Sequence, residues 1–249
     1  MILKLDAHVH SKKSFDCVQS LEDIAKACKE CGTHGAVICD HDIACTEFKI
    51  IDGILILPGI EISTEHGHLL GLLINENVEP TRDFELAVER IHAAGGLAVL
   101  AHPYENRRLT NEFVRKRIEK LADKLDGIEC ANGRAPLFVE RANEYAYADA
   151  ERLGLAQLGG SDAHTHIEVG KTYTEIEIDT DNIENITVQD LKKAFKAGAS
   201  TAVYGKIPPK SSLVKSQFIR HRKNKSSLKK WIKHIAMIVR LYTVGASKK

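Results

Sequence analysis

Ile2-Leu3-Lys4-Leu5-Asp6-Ala7-His8-Val9-His10 reads as an apolar β-type run that ends in one carboxylate and two imidazoles. Residues two apart on a strand project to the same face, so His8 and His10 can grip one ion. Alone the pair carries little weight, because surface histidine pairs are common. Runs of the same β type recur at 36–39, 54–62, 68–74, 97–101, 127–130 and 155–158, with helical patterns between them. Ser20 can cap a helix through Ala27 that stops at Gly32; Thr81 or Asp83 starts one ending at Gly95-Gly96; Pro136 opens another ending at Gly154. This alternation predicts an α/β fold with a parallel sheet, helices outside it and closure into a barrel. Two features break the pattern. Residues 54–74 read as two strands in succession, and 172–178 as a strand after a polar loop, so a regular eight-fold barrel is not expected.

Working outward, the polar ends of the runs form a series. Asp40-His41-Asp42 follows the second run, Glu61 ends the third in Pro58-Gly59-Ile60-Glu61, and His68 begins the next. His102 follows the fifth in Ala101-His102-Pro103; Asp162 and His164 follow the last in Gly159-Gly160-Ser161-Asp162-Ala163-His164. Barrels of this class build their sites at such strand ends. Chance seldom puts histidine or acid at six of them. Imidazole and carboxylate without thiolate suit Zn²⁺, Mn²⁺ or Fe²⁺ better than Mg²⁺ or Ca²⁺. A carboxylate such as Glu61 has two oxygens and can bridge ions. Two ions held together lower the pKa of a bridging water and clamp the oxygens of a displacement at phosphorus, so hydrolysis of a phosphate ester is the expected chemistry.

The ordered set Asp6-x-His8-x-His10, Cys39-Asp40-His41-Asp42, Gly59-x-Glu61, Ala101-His102-Pro103 and Ser161-Asp162-Ala163-His164 resembles the motifs of the PHP family, the polymerase and histidinol phosphatase superfamily. The resemblance spans roughly residues 1–205 and implies a distorted (β/α)7 barrel with two or three divalent transition metal ions at its mouth. It implies a first ion on His8, His10, Glu61 and Asp162, a second sharing Glu61 with His68 and His102, and a third on Asp16, His41 and His164. Glu61, Asp162 and Asp42 are the residues assigned to the chemistry. Asp6 is read as a carboxylate that orients a ligating imidazole; Asp40 and Asp42 act in that way or as a proton donor to the leaving group. Arg107, Arg108, Arg134 and Lys171, on loops after the strands, are candidates to hold substrate phosphate. His34, His66, His92 and His166 fit no motif position and are read as ordinary histidines.

The chain has 249 residues, 43% apolar and 28% charged, as suits a globular protein. Its 35 basic residues nearly balance its 34 acidic ones, but 13 of the basic residues and none of the acidic ones follow Gly205. An acidic body thus carries a cationic tail. We read residues 1–205 as the barrel and 206–249 as a basic extension, with Pro208-Pro209 at the junction and a Lys/Ser-rich segment leading to an amphipathic helix near Ser226. That helix would carry Leu228, Trp231, Ile232, Ile235, Ile238, Val239 and Tyr242 on one side. Docking on the barrel is its favoured role, ahead of an arm for nucleic acid; a membrane is the least favoured partner. No signal-peptide pattern opens the chain and no apolar run reaches spanning length, so a cytoplasmic location is expected. Cys28 and Cys31 form one CxxC inside a helical pattern, with no second pair to complete a zinc site, and are read as structural. The substrate expected is a small phosphomonoester or a nucleotide. Cleavage of nucleic acid guided by the basic tail is the alternative, and a non-catalytic scaffold the remotest reading.

Overall fold

Strand β1 (Ile2–Val9) opens the computed structural model, which describes residues 1–197, 200–205 and 208–224 together with residues 232 and 236. There follow α1 (Leu21–Cys31), β2 (Gly35–Ile38), β3 (Lys49–Ile51), β4 (Ile54–Leu57), β5 (Gly59–Thr64), β6 (Gly67–Leu72), α2 (Phe84–Ala93) and β7 (Leu97–Leu100). The second half contains α3 (Asn111–Leu121), β8 (Gly127–Asn132), α4 (Ala135–Phe138), α5 (Ala142–Leu153), β9 (Ala156–Gly160), β10 (Thr172–Glu177), α6 (Val188–Lys196), β11 (Ser200–Tyr204) and α7 (Lys210–Lys223).

Local chemistry accounts for most boundaries. Ser20 and Asp23 form a reciprocal capping box at the start of α1, and Gly32 ends it in the left-handed conformation. Asp83, not Thr81, caps α2. The helix expected from Pro136 to Gly154 is two helices, because Val139 is extended and separates α4 from α5. Pro58 divides the long apolar run at 54–62: lacking an N–H, it breaks the ladder, and the chain passes from one sheet to the other.

The fold is mixed α/β. Six strands form one sheet in the order β11-β10-β1-β2-β4-β3, and five form a second in the order β5-β6-β7-β8-β9. The expected all-parallel arrangement does not occur. β1–β2, β2–β4, β7–β8 and β8–β9 pair in parallel, whereas β5–β6, β6–β7, β3–β4, β1–β10 and β10–β11 are antiparallel. The physical reason is that β5 reaches β6 through a tight turn with no crossover helix, which forces reversal.

The two sheets meet at two seams sewn by isolated bridges, with Cys45–Gly59 adding to the second. Val9 bridges Ala163 at one, and His41 bridges Glu61 at the other. Backbone bonds reinforce both: Asp162 N donates to His8 O (2.8 Å) and His10 N to Ala163 O (3.0 Å), while Asp42 N donates to Glu61 O (2.8 Å) and Glu61 N to Asp40 O (3.1 Å). The polar ends of the strands therefore converge where the sheets join.

Beyond Gly205, the stretch read as a Lys/Ser-rich lead-in is helix α7, with Leu213, Ser216 and Ile219 buried against the body. The amphipathic helix expected from Ser226 lies, apart from Ile232 and Ala236, outside the described residues. Among the described residues no helix is long and apolar enough to cross a membrane.

Candidate metal centre

All nine positions named from the sequence converge in one cluster. His8 and His10 leave β1 on one face, with their Nε2 atoms 3.2 Å apart. His10 Nε2 lies 3.2 Å from Asp162 Oδ1 and 3.5 Å from Glu61 Oε2. Glu61, 1% exposed, is the hub: His41 Nδ1 is 2.7 Å from Oε2, His68 Nδ1 is 2.7 Å from Oε1, and His102 Nε2 is 3.2 Å from Oε1. On the far side Asp16 faces His164 Nε2 at 3.3 Å and His41 Nε2 at 3.6 Å.

The backbone at this cluster is held in sparsely populated conformations. Asp42, His102 and Asp162 all have positive φ, at 54°, 24° and 54°. Such strain survives only where surrounding bonds over-determine it. His102 N is fixed by Glu129 Oε2 (2.9 Å), and Asp162 N by the seam bond to His8.

Electrostatics follow from burying imidazoles and carboxylates together. Burial would push His8 down, but Glu129, Glu61 and Asp162 outweigh it and hold the ring well above the ordinary imidazole range. Burial likewise opposes charge on His41, yet Glu61 and Asp16 raise it to about 10. His10 is pushed the other way, by burial and by the neighbouring rings of His164 and His41. Burial disfavours charge on Glu61, but the rings of His68, His41 and His8 hold it well below the usual carboxylate range, and His8, His10 and His164 do the same for Asp162. Without metal, protons on His8, His41 and His102 thus offset the carboxylates.

The donor set fits divalent ions. Asp16 Oδ1, Glu61 Oε2 and His68 Nδ1 are buried without a hydrogen-bond partner; the short approaches of His41 and His68 to Glu61 do not run along an N–H direction. Buried polar atoms left unpaired are costly, and ions would satisfy them. Compact groups of donors occur at His8, His10 and Asp162, at Glu61, His68 and His102, and at His10, His41 and His164. Thiolates do not compete: burial pushes Cys17 up to about 11, and Cys39 also well above its ordinary value. Cys28 and Cys31 are free thiols away from the cluster.

The supporting residues are arranged differently from the sequence expectation. Asp6 touches no imidazole ring. It accepts from Ser161 N (2.8 Å), Ser161 Oγ (2.5 Å) and Gly170 N (2.7 Å), and burial raises its carboxyl to about 7 against those bonds. The carboxylate that orients His8 is Glu129, whose Oε1 is 3.0 Å from Nδ1. Asp6 lies a full strand repeat below His8, level with Ser161, whereas Glu129 on β8 stands opposite the ring. Gly160 keeps the path open, since a Cβ there would meet His8 Cβ at 2.4 Å and Glu129 Oε1 at 2.9 Å. Asp40 reaches His10 through Ser14, which donates to Asp40 Oδ1 (2.7 Å) and lies 3.0 Å from His10 Nδ1. Asp42 is exposed and accepts from Ser63 N (2.9 Å).

Of the residues named for phosphate, Arg107 and Arg108 line a cleft of 1170 Å³ that also contains His68, His102, Arg117 and Phe113. Arg134 is buried beside the cluster, with Nε and one terminal nitrogen donating to Glu168 at 2.8 and 2.9 Å. That leaves its remaining donors for another acceptor. Lys171 stands just ahead of β10 and is half-buried. His34 accepts from Lys4 N and His92 pairs with Asp126, both remote from the cluster.

Comparison with known proteins agrees with the motif reading. A family profile described as PHP-associated matches residues 140–200. An uncharacterized protein of Methanocaldococcus jannaschii is 30% identical over 146 residues, spanning 52% of this chain and 82% of that protein. The chain belongs to the PHP family. The PHP fold is shared with a two-domain protein from Bacteroides vulgatus containing a predicted PHP-like metal-dependent phosphoesterase, at TM-score 0.64 and 19% identity over 87% of this chain and 69% of that one. The lesion-specific endonuclease from Pyrococcus furiosus superposes at TM-score 0.55 with 16% identity, covering 81% of this chain and 58% of that one.

Several residues of this PHP cluster carry no motif. Glu105 accepts from His102 Nδ1 (2.8 Å), and Glu168 accepts from the backbone N of His164 (3.1 Å) and of Thr165 (2.9 Å). Glu129 did leave a trace, as a lone acid inside the apolar run at 127–130. Glu168 sits in a polar loop, where nothing distinguishes it.

Proposed function

We propose that this chain is a metal-dependent hydrolase of phosphate esters, acting on small phosphomonoesters or nucleotides. The observation that carries the reading is Glu61, a buried carboxylate with two oxygens that face separate groups of imidazoles, His68 and His102 on one side and His8, His10 and His41 on the other. Such a residue can share its charge between two ions. His8, His10, Glu61 and Asp162 would hold the first, Glu61, His68 and His102 the second, and Asp16, His41 and His164 the third, with Zn²⁺, Mn²⁺ and Fe²⁺ suited to these donors. When bound, the ions supply Lewis acidity toward a phosphoryl group and acidify water.

The chain's own residues do the rest. Glu129 and Glu105 keep His8 and His102 oriented, the seams fix the spacing of the donors, and Asp42, at the exposed edge, would give a proton to the leaving oxygen. Arg107 and Arg108 would receive phosphate oxygens from the cleft, with Arg134 and Lys171 as further candidates. The two sheets, joined at both seams, are read as a distorted (β/α)7 barrel over residues 1–205, with 206–249 as its basic extension.

The test is metal analysis of protein purified without added metal, paired with a screen of phosphate mono- and diesters. Glu61→Gln should deplete two ions and abolish turnover, whereas His164→Ala should deplete mainly one. Full metal content and activity in Glu61→Gln would sink the assignment. The second reading is a nuclease. It is favoured by the 13 cationic residues beyond Gly205 and by the fold shared with an endonuclease. Binding through many phosphate contacts should collapse with added salt, while turnover of a small monoester should change little.

A further inference from the structure

Helix α7 packs beside the loop that carries Asp16. At its C-terminal end the Lys223 ammonium donates to the carbonyl oxygens of Lys12, Ser14 and Cys17, each at 2.7 Å. An ammonium has three N–H donors, and all three are used on one loop. That loop, residues 11–19, carries Asp16 between the bonded carbonyls.

The same turn of the helix makes a second contact. The Arg220 guanidinium lies 4.9 Å from the centroid of the Phe15 ring, and Phe15 stacks on His41 with centroids 4.8 Å apart. At the other end of α7, buried Ser212 donates to Glu168 Oε1 (2.8 Å), and Glu168 holds the backbone N of His164. Thus Asp16, His41 and His164 are each reached from α7 through one intermediary.

We infer that Lys223 is a positioning residue for one ion: by fastening the 11–19 loop it presents Asp16 to His41 and His164, so that the basic extension completes the third metal position. The inference rests on the reading that these three side chains hold an ion. The loop has few other restraints on its outer side. Lys12 N donates to Gln19 O (2.7 Å) and Ser14 N to Ser11 O (3.0 Å), which shape the turn without tying it to another element. On the inner side Asp40 anchors Ser11 and Ser14, Cys17 Sγ lies within bonding distance of the carbonyls of His10 (3.2 Å) and His164 (3.4 Å), and Gln19 Nε2 donates to His10 O (3.2 Å). Removing the ammonium would leave three carbonyls of the loop to water and loosen the outer side of the turn that presents Asp16, with the weaker inner bonds of Cys17 and Gln19 remaining.

The experiment is calorimetric titration of Mn²⁺ and of Zn²⁺ into chelator-treated full-length protein, with bound metal counted after desalting. Wild type is compared with Lys223→Met, Lys223→Gln, Asp16→Asn, His68→Ala and the double variant Lys223→Met/Asp16→Asn, with circular dichroism confirming the fold of each. Asp16→Asn should weaken one class of ion. Both Lys223 variants should weaken the same class roughly 10–100-fold, the range typical of residues that orient a ligand, and leave unchanged the class lost in His68→Ala. The double variant should bind no more weakly than Asp16→Asn alone, because both changes remove one interaction. Equal weakening of every ion in the Lys223 variants, or none while Asp16→Asn loses one, overturns the role of Lys223. Unchanged binding in Asp16→Asn overturns the third-ion reading itself.

Discussion

Glu129 joins two ligand positions through its two oxygens, taking the ring of His8 on one and the backbone N–H of His102 on the other. Glu129→Gln keeps the shape but removes the charge that holds the imidazole, and should lower metal affinity roughly 10–100-fold. Unchanged affinity by calorimetry would show that the ring is positioned without it. Protonation gives a second handle at this scale. His41 is raised from 6.5 to about 10 in the folded state, so its contribution to the stability of the metal-free protein is fully present below 6.5 and is lost as pH rises toward 10. Chelated protein should therefore melt at progressively lower temperature between those values. Metal-loaded protein should show a flatter profile, because bound ions replace the protons; identical profiles would contradict this account.

At the scale of elements, the β3–β4 hairpin shows how a small signal passes unnoticed. Asp52-Gly53 is a two-residue turn with φ of 49° and 79°, the pairing that right-twisted strands favour, but β3 is three residues long and mostly exposed, so its apolar pattern is faint. No atom lies within 4 Å of a Cβ built on Gly53, so Gly53→Ala would be penalised by backbone conformation alone. A loss of about 1 kcal/mol is expected, measurable by urea denaturation with an unchanged slope. The stronger elements were legible from caps and breakers: Ser20 and Gly32 bound α1, Asp83 starts α2, and Gly154 ends α5. The break between α4 and α5 was not, since Val139 to Arg141 contain neither glycine nor proline.

For the whole molecule, the cationic extension and the acidic body are one packed unit as far as Lys223. Leu213 and Ile219 of α7 are 5% and 8% exposed, and burial of two such side chains stabilises by about 1.5–3 kcal/mol each. Truncation after Gly205 should lower the melting temperature by roughly 5–10 °C and raise binding of a hydrophobic dye, followed by calorimetry and fluorescence. Equal melting of the two forms would mean that α7 packs without contributing. The strands carrying His8, His41, Glu61, His102 and Asp162 meet only because two sheets abut, and the seam bonds between Asp162 and His8 and between Asp42 and Glu61 are made by the site's own residues.

Sequence alone marked most of the strands, the principal helix caps and eight of the nine clustered side chains, because period-two alternation, capping and imidazole-carboxylate chemistry are local properties that neighbouring residues express; Asp16 followed only from the family resemblance. It also placed those eight at strand ends, where convergence was foreseeable. Tertiary structure decided the rest. Which strands run antiparallel, that Glu129 rather than Asp6 faces His8 from 121 residues away, and that Lys223 reaches back 206 residues to the loop around Asp16 all depend on how the sheets and α7 pack. Such contacts leave no periodic trace in the chain, since nothing in the spacing of two distant residues records the direction in which each side chain points once the backbone has folded.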